Sequence, residues 1–209
     1  MRLFKRPQVL TLSDVSNRVN DLNIRLQKLE YEYKALKNHN KKWENLKVGV
    51  FVDVQNMFYA AKKNYESRLD YMKLLHYAVK RRRLIKATAY MIENPEIDQS
   101  GFVSLLEHHS FDVRRKSLIQ RADGSQKGDY DMEIALEILS MVDDLDVVAL
   151  VSGDGDFVSL VEAVKARGPR VEVYSFPHNT AMELKEVADD FFPIGDDLLY
   201  GRNNGRGGK

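Results

Sequence analysis

Cysteine is absent from the 209 residues. That absence excludes disulfide frameworks, cysteine-ligated zinc, iron–sulfur clusters and thiol nucleophiles together. A reducing compartment fits, and a cytoplasmic location is expected. Also missing is any apolar run near the roughly 18 to 20 residues that a membrane span needs, and Met1 to Leu12 is too short and too basic for a signal peptide. Neither membrane association nor export is expected. The composition is not that of a disordered or collagen-like chain: with 44% hydrophobic and 30% charged residues, one compact domain with an appendage is the expectation.

An excess of one charge is missing overall, at +1, but the halves differ. Residues 1–47 carry 11 Lys/Arg against 5 Asp/Glu, and the remainder carries 21 against 26. An acidic domain does not hold nucleic acid by its mean field, so such a partner needs local basic patches or bound cations.

From Leu12 the apolar residues step by three and four through Val15, Val19, Leu22, Leu26, Leu29, Tyr33 and Leu36 to Asn40 and Trp43. With Val19, Leu26, Tyr33 and Asn40 as a positions and Leu22, Leu29, Leu36 and Trp43 as d, this is a heptad seam. In a parallel pair Arg25 faces Glu30 and Glu32 faces Lys37, so a coiled-coil homodimer through residues 12–45 is expected. An amphipathic helix lying on its own domain is the plainer alternative. A basic segment, 1–11, precedes the helix, and a Gly/Arg-rich tail, 200–209, closes the chain.

After Leu46 short apolar runs alternate with helical segments, the pattern of an α/β domain over 47–199. Strands are expected at 47–54, 85–92, 112–119, 146–152, 170–174 and 191–194. Helices fit 56–64, 71–81, 98–109, 129–142, 156–167 and 180–188. Val48–Val52 and Val147–Val151 are apolar throughout, as central parallel strands are, and ligands bind at the carboxyl ends of such strands. There the sequence places Asp53-Val54-Gln55-Asn56 and Ser152-Gly153-Asp154-Gly155-Asp156, while Lys127-Gly128-Asp129-Tyr130-Asp131 opens a helix. Taken singly, Asp53 fits a strand end, and Asp129 and Asp156 fit helix caps. Gathered at one edge they repel one another unless a cation offsets the charge, and oxygen ligands without His or Cys suit a hard cation, Mg²⁺ or Mn²⁺.

These three strings, with the helix that follows Asp131 and the late Leu184–Phe191 segment, resemble the NYN domain. More narrowly they resemble its LabA-like (DUF88) branch in the PIN-like nuclease superfamily. The resemblance covers roughly 47 to 199 and implies a Rossmann-like, mainly parallel three-layer fold in strand order 3-2-1-4-5, carrying a metal-dependent ribonuclease site. Carried over by motif, Asp53, Asp131, Asp154 and Asp156 form the acidic metal site with Asn56 beside it, and Asp129 stands at the rim. Divalent ions held by aspartates neutralise a phosphodiester and activate water. Ser152 is expected to hydrogen-bond the cluster. Lys127 and the run Lys80-Arg81-Arg82-Arg83 are expected to grip RNA phosphates, although a solvated helix end explains that run equally. A non-catalytic RNA- or metal-binding regulator is the competing function. An aspartyl-phosphate phosphatase is not supported, because Val54-Gln55 follows Asp53 where that chemistry needs a second Asp.

Overall fold

The computed structural model describes residues 12–117, 119–120, 126–127 and 129–200. The basic segment 1–11, Arg121 and the tail from 201 onward lie outside the described residues, as does the side chain of Lys127. The described chain forms two compact units, divided between Glu44 and Asn45.

The first unit is one helix, α1, Leu12–Glu44, of 33 residues, about 50 Å long at 1.5 Å per residue. Val19, Leu22, Leu26, Leu29 and Tyr33 are all exposed along it. Arg25 pairs with Asp21 at 3.0 Å and Lys28 with Glu32 at 3.9 Å, both one turn apart and exposed. Such pairs add a few tenths of a kcal/mol each; the helix has no buried face of its own among these positions.

The second unit is built on a parallel sheet. Its elements are β1 (Lys47–Asp53), α2 (Val54–Tyr65), α3 (Tyr71–Val79), β2 (Arg83–Glu93), α4 (Ser100–His108), β3 (Asp112–Ser117), β4 (Ile119–Gln120), β5 (Gln126–Lys127), α5 (Asp131–Met141), β6 (Val147–Val151), α6 (Val158–Ala166), β7 (Arg170–Ser175), α7 (Met182–Val187) and β8 (Asp190–Pro193). The sheet order is β3-β2-β1-β6-β7-β8, every pairing is parallel, and β4 and β5 form a separate antiparallel hairpin. Counting sheet strands alone, this is the 3-2-1-4-5 order with a sixth strand at the edge. Alternate residues of each central strand serve opposite cores. Val48, Val50 and Val52 pack with α2, α3 and α4, while Phe51, Val148 and Leu150 pack with α5, α6 and α7. Burial on both faces explains why these runs carry no polar residue. Among the described residues no helix is long and apolar enough to cross a membrane.

The expected basic grip falls here. Arg83 begins β2 beside Lys47, and Asp53 is level with Tyr90, so the run Lys80–Arg83 lies at the amino edge of the sheet, roughly 23 Å along β2 from the level of Asp53. Arg82 is also buried: its two terminal nitrogens each donate to Glu172 at 2.7 Å, and both side chains are fully enclosed. Burial pushes the Glu172 carboxyl up, but Arg82 and the Tyr174 hydroxyl outweigh it and hold it below the ordinary range. Arg82 is therefore a structural cation and not a phosphate ligand. Arg81 and Arg83 are exposed, at the wrong end of the domain for the expected role.

A further basic run, Arg114-Arg115-Lys116 on β3, is likewise engaged. Arg114 pairs with Asp112 at 3.1 Å and Arg115 with Glu93 at 3.1 Å. Lys116 donates to Glu133 at 2.6 Å and to the Asp129 carbonyl at 3.2 Å, which fastens the start of α5 to β3.

Candidate active site

The site is made where β1 and β6 end side by side. Val52 pairs with Val151, so Asp53 and Ser152 leave the sheet together. Asp53 then caps α2: its Oδ1 accepts from the Asn56 N–H at 3.0 Å, and its Oδ2 accepts from the buried Ser152 hydroxyl at 3.4 Å. Asn56 reaches back, its side-chain oxygen accepting from the Gly153 N–H at 3.0 Å. Ser152 Oγ accepts from the Asp154 N–H at 3.2 Å, and Asp154 Oδ1 accepts from the Asp156 N–H at 3.0 Å. Each carboxylate thus sits at a turn whose backbone N–H groups favour negative charge. Gly153 is required by close approach: a Cβ there would lie 2.3 Å from the Asn179 carbonyl oxygen.

The third segment arrives on α5. Tyr90, beside Asp53 in the β1–β2 register, packs its ring at a tilt against Tyr130 with centroids 5.5 Å apart and donates its hydroxyl to Glu137 at 2.8 Å. These contacts pin the first turn of α5, where Asp131 stands. Tyr130 is the residue before the helix, with no side-chain cap; Asp129 is not the cap.

Asp53, Asp129, Asp131 and Asp154 line one cavity of about 440 Å³ together with Asn56, Tyr59, Lys63 and Asn179. Asp156 does not line it and is exposed. The structure thus brings Asp53, Asn56, Asp131 and Asp154 together, sets Ser152 beneath them, and puts Asp129 where the sequence suggested Asp156. Among the described residues no three acidic or histidine side chains stand close enough to form a ready-made metal ligand set; the expected sharing of one cation by all four carboxylates is not built in. Lys63 was missed by motif reasoning. Its one signal is spacing: Gln55, Tyr59 and Lys63 repeat every four residues along α2 and present one face to the cavity.

Carboxylate crowding has a visible electrostatic consequence. Burial, then the negative charges of Asp53, Asp154, Asp129 and Asp156, pushes Asp131 up to about 6. Burial also raises Asp53, against the lowering effect of the Asn56 N–H and the Ser152 hydroxyl, with Asp154 adding to the rise. An acid with a raised folded-state pKa binds its proton more tightly folded than unfolded. The stability it lends is full below the unfolded value and is lost as pH rises through about 6. Without added metal, wild type should therefore lose melting temperature relative to Asp131→Asn as pH rises from about 4 to 7. Equal slopes in thermal melts would remove Asp131 from the charged cluster.

The carboxylate donors lining the cavity are oxygens, the class that hard divalent cations take, and a cation there would offset the charge that, after burial, raises Asp53 and Asp131.

A model of the NYN domain matches residues 47–195. The chain is 31% identical over 159 residues to LabA, the low amplitude and bright protein of Synechococcus elongatus, which covers 72% of this chain and 84% of that one. A crystal structure of a Vibrio parahaemolyticus protein of unknown function is similar at 39% identity with a TM-score of 0.70, over 75% of this chain and 97% of that one. With its motifs at the carboxyl edge of the shared sheet, the chain belongs to the NYN domain family of the PIN-like nuclease superfamily and is LabA-like in sequence.

Proposed function

We propose that the chain is a divalent-cation-dependent ribonuclease working in the aspartate cavity. The observation that carries this reading is the meeting of Asp53, Asp129, Asp131 and Asp154, from three chain segments, in one cavity of an NYN domain. A structural role does not require that convergence, and mutual repulsion disfavours it. Asp53, Asp131 and Asp154 are the residues to hold Mg²⁺ or Mn²⁺, with Asp129 and Asp156 reaching it through water. When bound, the ion supplies charge neutralisation at the scissile phosphate and lowers the pKa of water. Asn56 and Ser152 position the carboxylates through the bonds described above. Asp131, pushed up to about 6 without metal, is a carboxylate whose ionised form a bound cation favours. Lys63, at the cavity wall, balances phosphate charge.

The test is degradation of labelled single-stranded and structured RNA by the full-length protein in Mn²⁺, Mg²⁺ or EDTA. Ion-dependent cleavage is expected. RNA binding without turnover under every ion would instead support the competing regulator.

The arm extends the proposal to a homodimer. Its exposed seam of Val19, Leu22, Leu26, Leu29 and Tyr33 gains burial on pairing with a second copy, at about 25 cal/mol per Å² of apolar surface. By light scattering the full chain should be a dimer and residues 46–209 a monomer. A dimeric truncated form would place the contact elsewhere.

A further inference from the structure

A second cavity, of about 680 Å³, adjoins the aspartate cavity, and Gln55, Tyr59 and Ile92 line both. It is of opposite character. Its walls include Phe58, Tyr71, Phe102 and Tyr200, and at its mouth Phe58 is 45%, Tyr59 60% and Tyr200 47% exposed. Aromatic rings left half in water beside a charged site are not explained by core packing: the buried residues of α2 are Val54, Met57, Ala60 and Ala61, of which Val54 and Ala61 line the groove beneath the exposed rings.

The rings are held in place. Tyr200, which the sequence assigned to the tail, is fastened to the domain: its N–H donates to the Arg68 carbonyl at 2.9 Å and its carbonyl accepts from the Ser67 hydroxyl at 3.1 Å. Phe58 meets Tyr59 edge to face at 5.7 Å, and the Lys62 ammonium lies 5.8 Å from the Phe58 centroid. Arg68 lines the same groove. Flat apolar faces flanked by cations, running without a break into a carboxylate site, match the chemistry of an unpaired nucleotide, whose base stacks while its phosphate takes the cation.

We propose that this groove is a stacking subsite for an unpaired base of single-stranded RNA, next to the phosphate presented to the aspartates. The proposal rests on the ribonuclease reading for the identity of the strand, but its residues are distinct from the aspartates. Bases within a duplex are already stacked and paired and offer no free face to Phe58 or Tyr200. The groove thus makes the domain selective for unpaired segments.

The test is fluorescence anisotropy of a labelled single-stranded RNA on the full-length protein in Ca²⁺, with cleavage measured separately in Mn²⁺. Phe58→Leu and Tyr200→Leu should each weaken binding about tenfold, with an unchanged salt slope because no phosphate contact is lost. Phe58→Tyr, which keeps the ring, should bind as wild type does. A 2-aminopurine in the strand should be quenched by wild type and not by Phe58→Leu. Thermal melts verify that the variants are folded, as expected for half-exposed positions. Unchanged affinity and quenching in both leucine variants, with wild type still binding and cleaving, would overturn the groove and leave the nuclease standing. Ring-dependent binding without Mn²⁺ cleavage would keep the groove and remove the nuclease. Duplex RNA bound as tightly as single strand, or full displacement by AMP, would overturn a subsite for a strand. No RNA binding at all would overturn both.

Discussion

Replacing Asp53 with Asn should leave the domain folded, remove its thermal response to Mn²⁺ and cut RNA cleavage by about a hundredfold or more, the upper range for disturbing a metal's surroundings. Asparagine keeps an oxygen for the Asn56 N–H, which Asp53 now caps at 3.0 Å, and Asn and Asp are nearly equal at a helix N-cap. What the substitution removes is the charge. Burial and Asp154 raise the Asp53 carboxyl, so its ionised form is a cost to the metal-free fold. The variant without metal should melt at or above the wild-type temperature at pH 7.5, whereas added Mn²⁺, which stabilises the native state by binding it, should raise only the wild type. Thermal melts with and without Mn²⁺ separate this from a structural aspartate, whose loss would lower the melting temperature and leave the response to metal intact.

Arg82→Ala should be among the most damaging single changes to stability and should not touch RNA binding by the protein that remains folded. Both partners of the Arg82–Glu172 pair are fully enclosed. Removing one leaves a buried charge with its main partner gone, at a cost of about 3–5 kcal/mol, against a total of about 5–15 kcal/mol for a domain. Lys80, 3.8 Å from Glu172, and the Tyr174 hydroxyl, which donates at 2.6 Å, keep the carboxylate partly served and set the loss toward the lower end. Arg81→Gln, at an exposed neighbour, should change stability by within about 0.5 kcal/mol. Urea unfolding of the two variants measures the contrast. Similar midpoints, or a weakened salt dependence of RNA binding in Arg82→Ala, would return the arginine to the surface.

The strands were legible where burial is complete. Val48–Val52 and Val147–Val151 admit no helix of that length, and Gly168-Pro169 ends α6 before β7. The hairpin of Ile119–Gln120 with Gln126–Lys127 was not, because strands of two residues show no alternation to read. In the site, Asp53 and Asp154 were legible because they follow apolar runs and precede glycine or helix signals. Lys63 and Tyr59 were not, because a helix face toward a cavity has the same spacing as a face toward solvent. The basic run shows a different gap: composition made Arg81–Arg83 a phosphate grip, yet a basic run just before a parallel strand lies at the edge opposite the ligand site. Asp156 differs again. It follows Gly155 and is exposed outside the cavity lining, its charge still felt at Asp131, while Asp129, two residues before Asp131, lines the cavity.

Cleavage of an end-labelled single-stranded RNA by full-length wild type and Asp154→Asn, titrated with Mn²⁺ in parallel, bears most directly on the aspartate cavity as a phosphodiesterase. Cleavage should appear only with the ion, stop in EDTA, and fall by about a hundredfold or more in Asp154→Asn, whose side-chain oxygen can still accept from the Asp156 N–H as Asp154 does at 3.0 Å. Cleavage that persists in EDTA, or proceeds equally in Asp154→Asn, would contradict a cation-dependent site at these carboxylates.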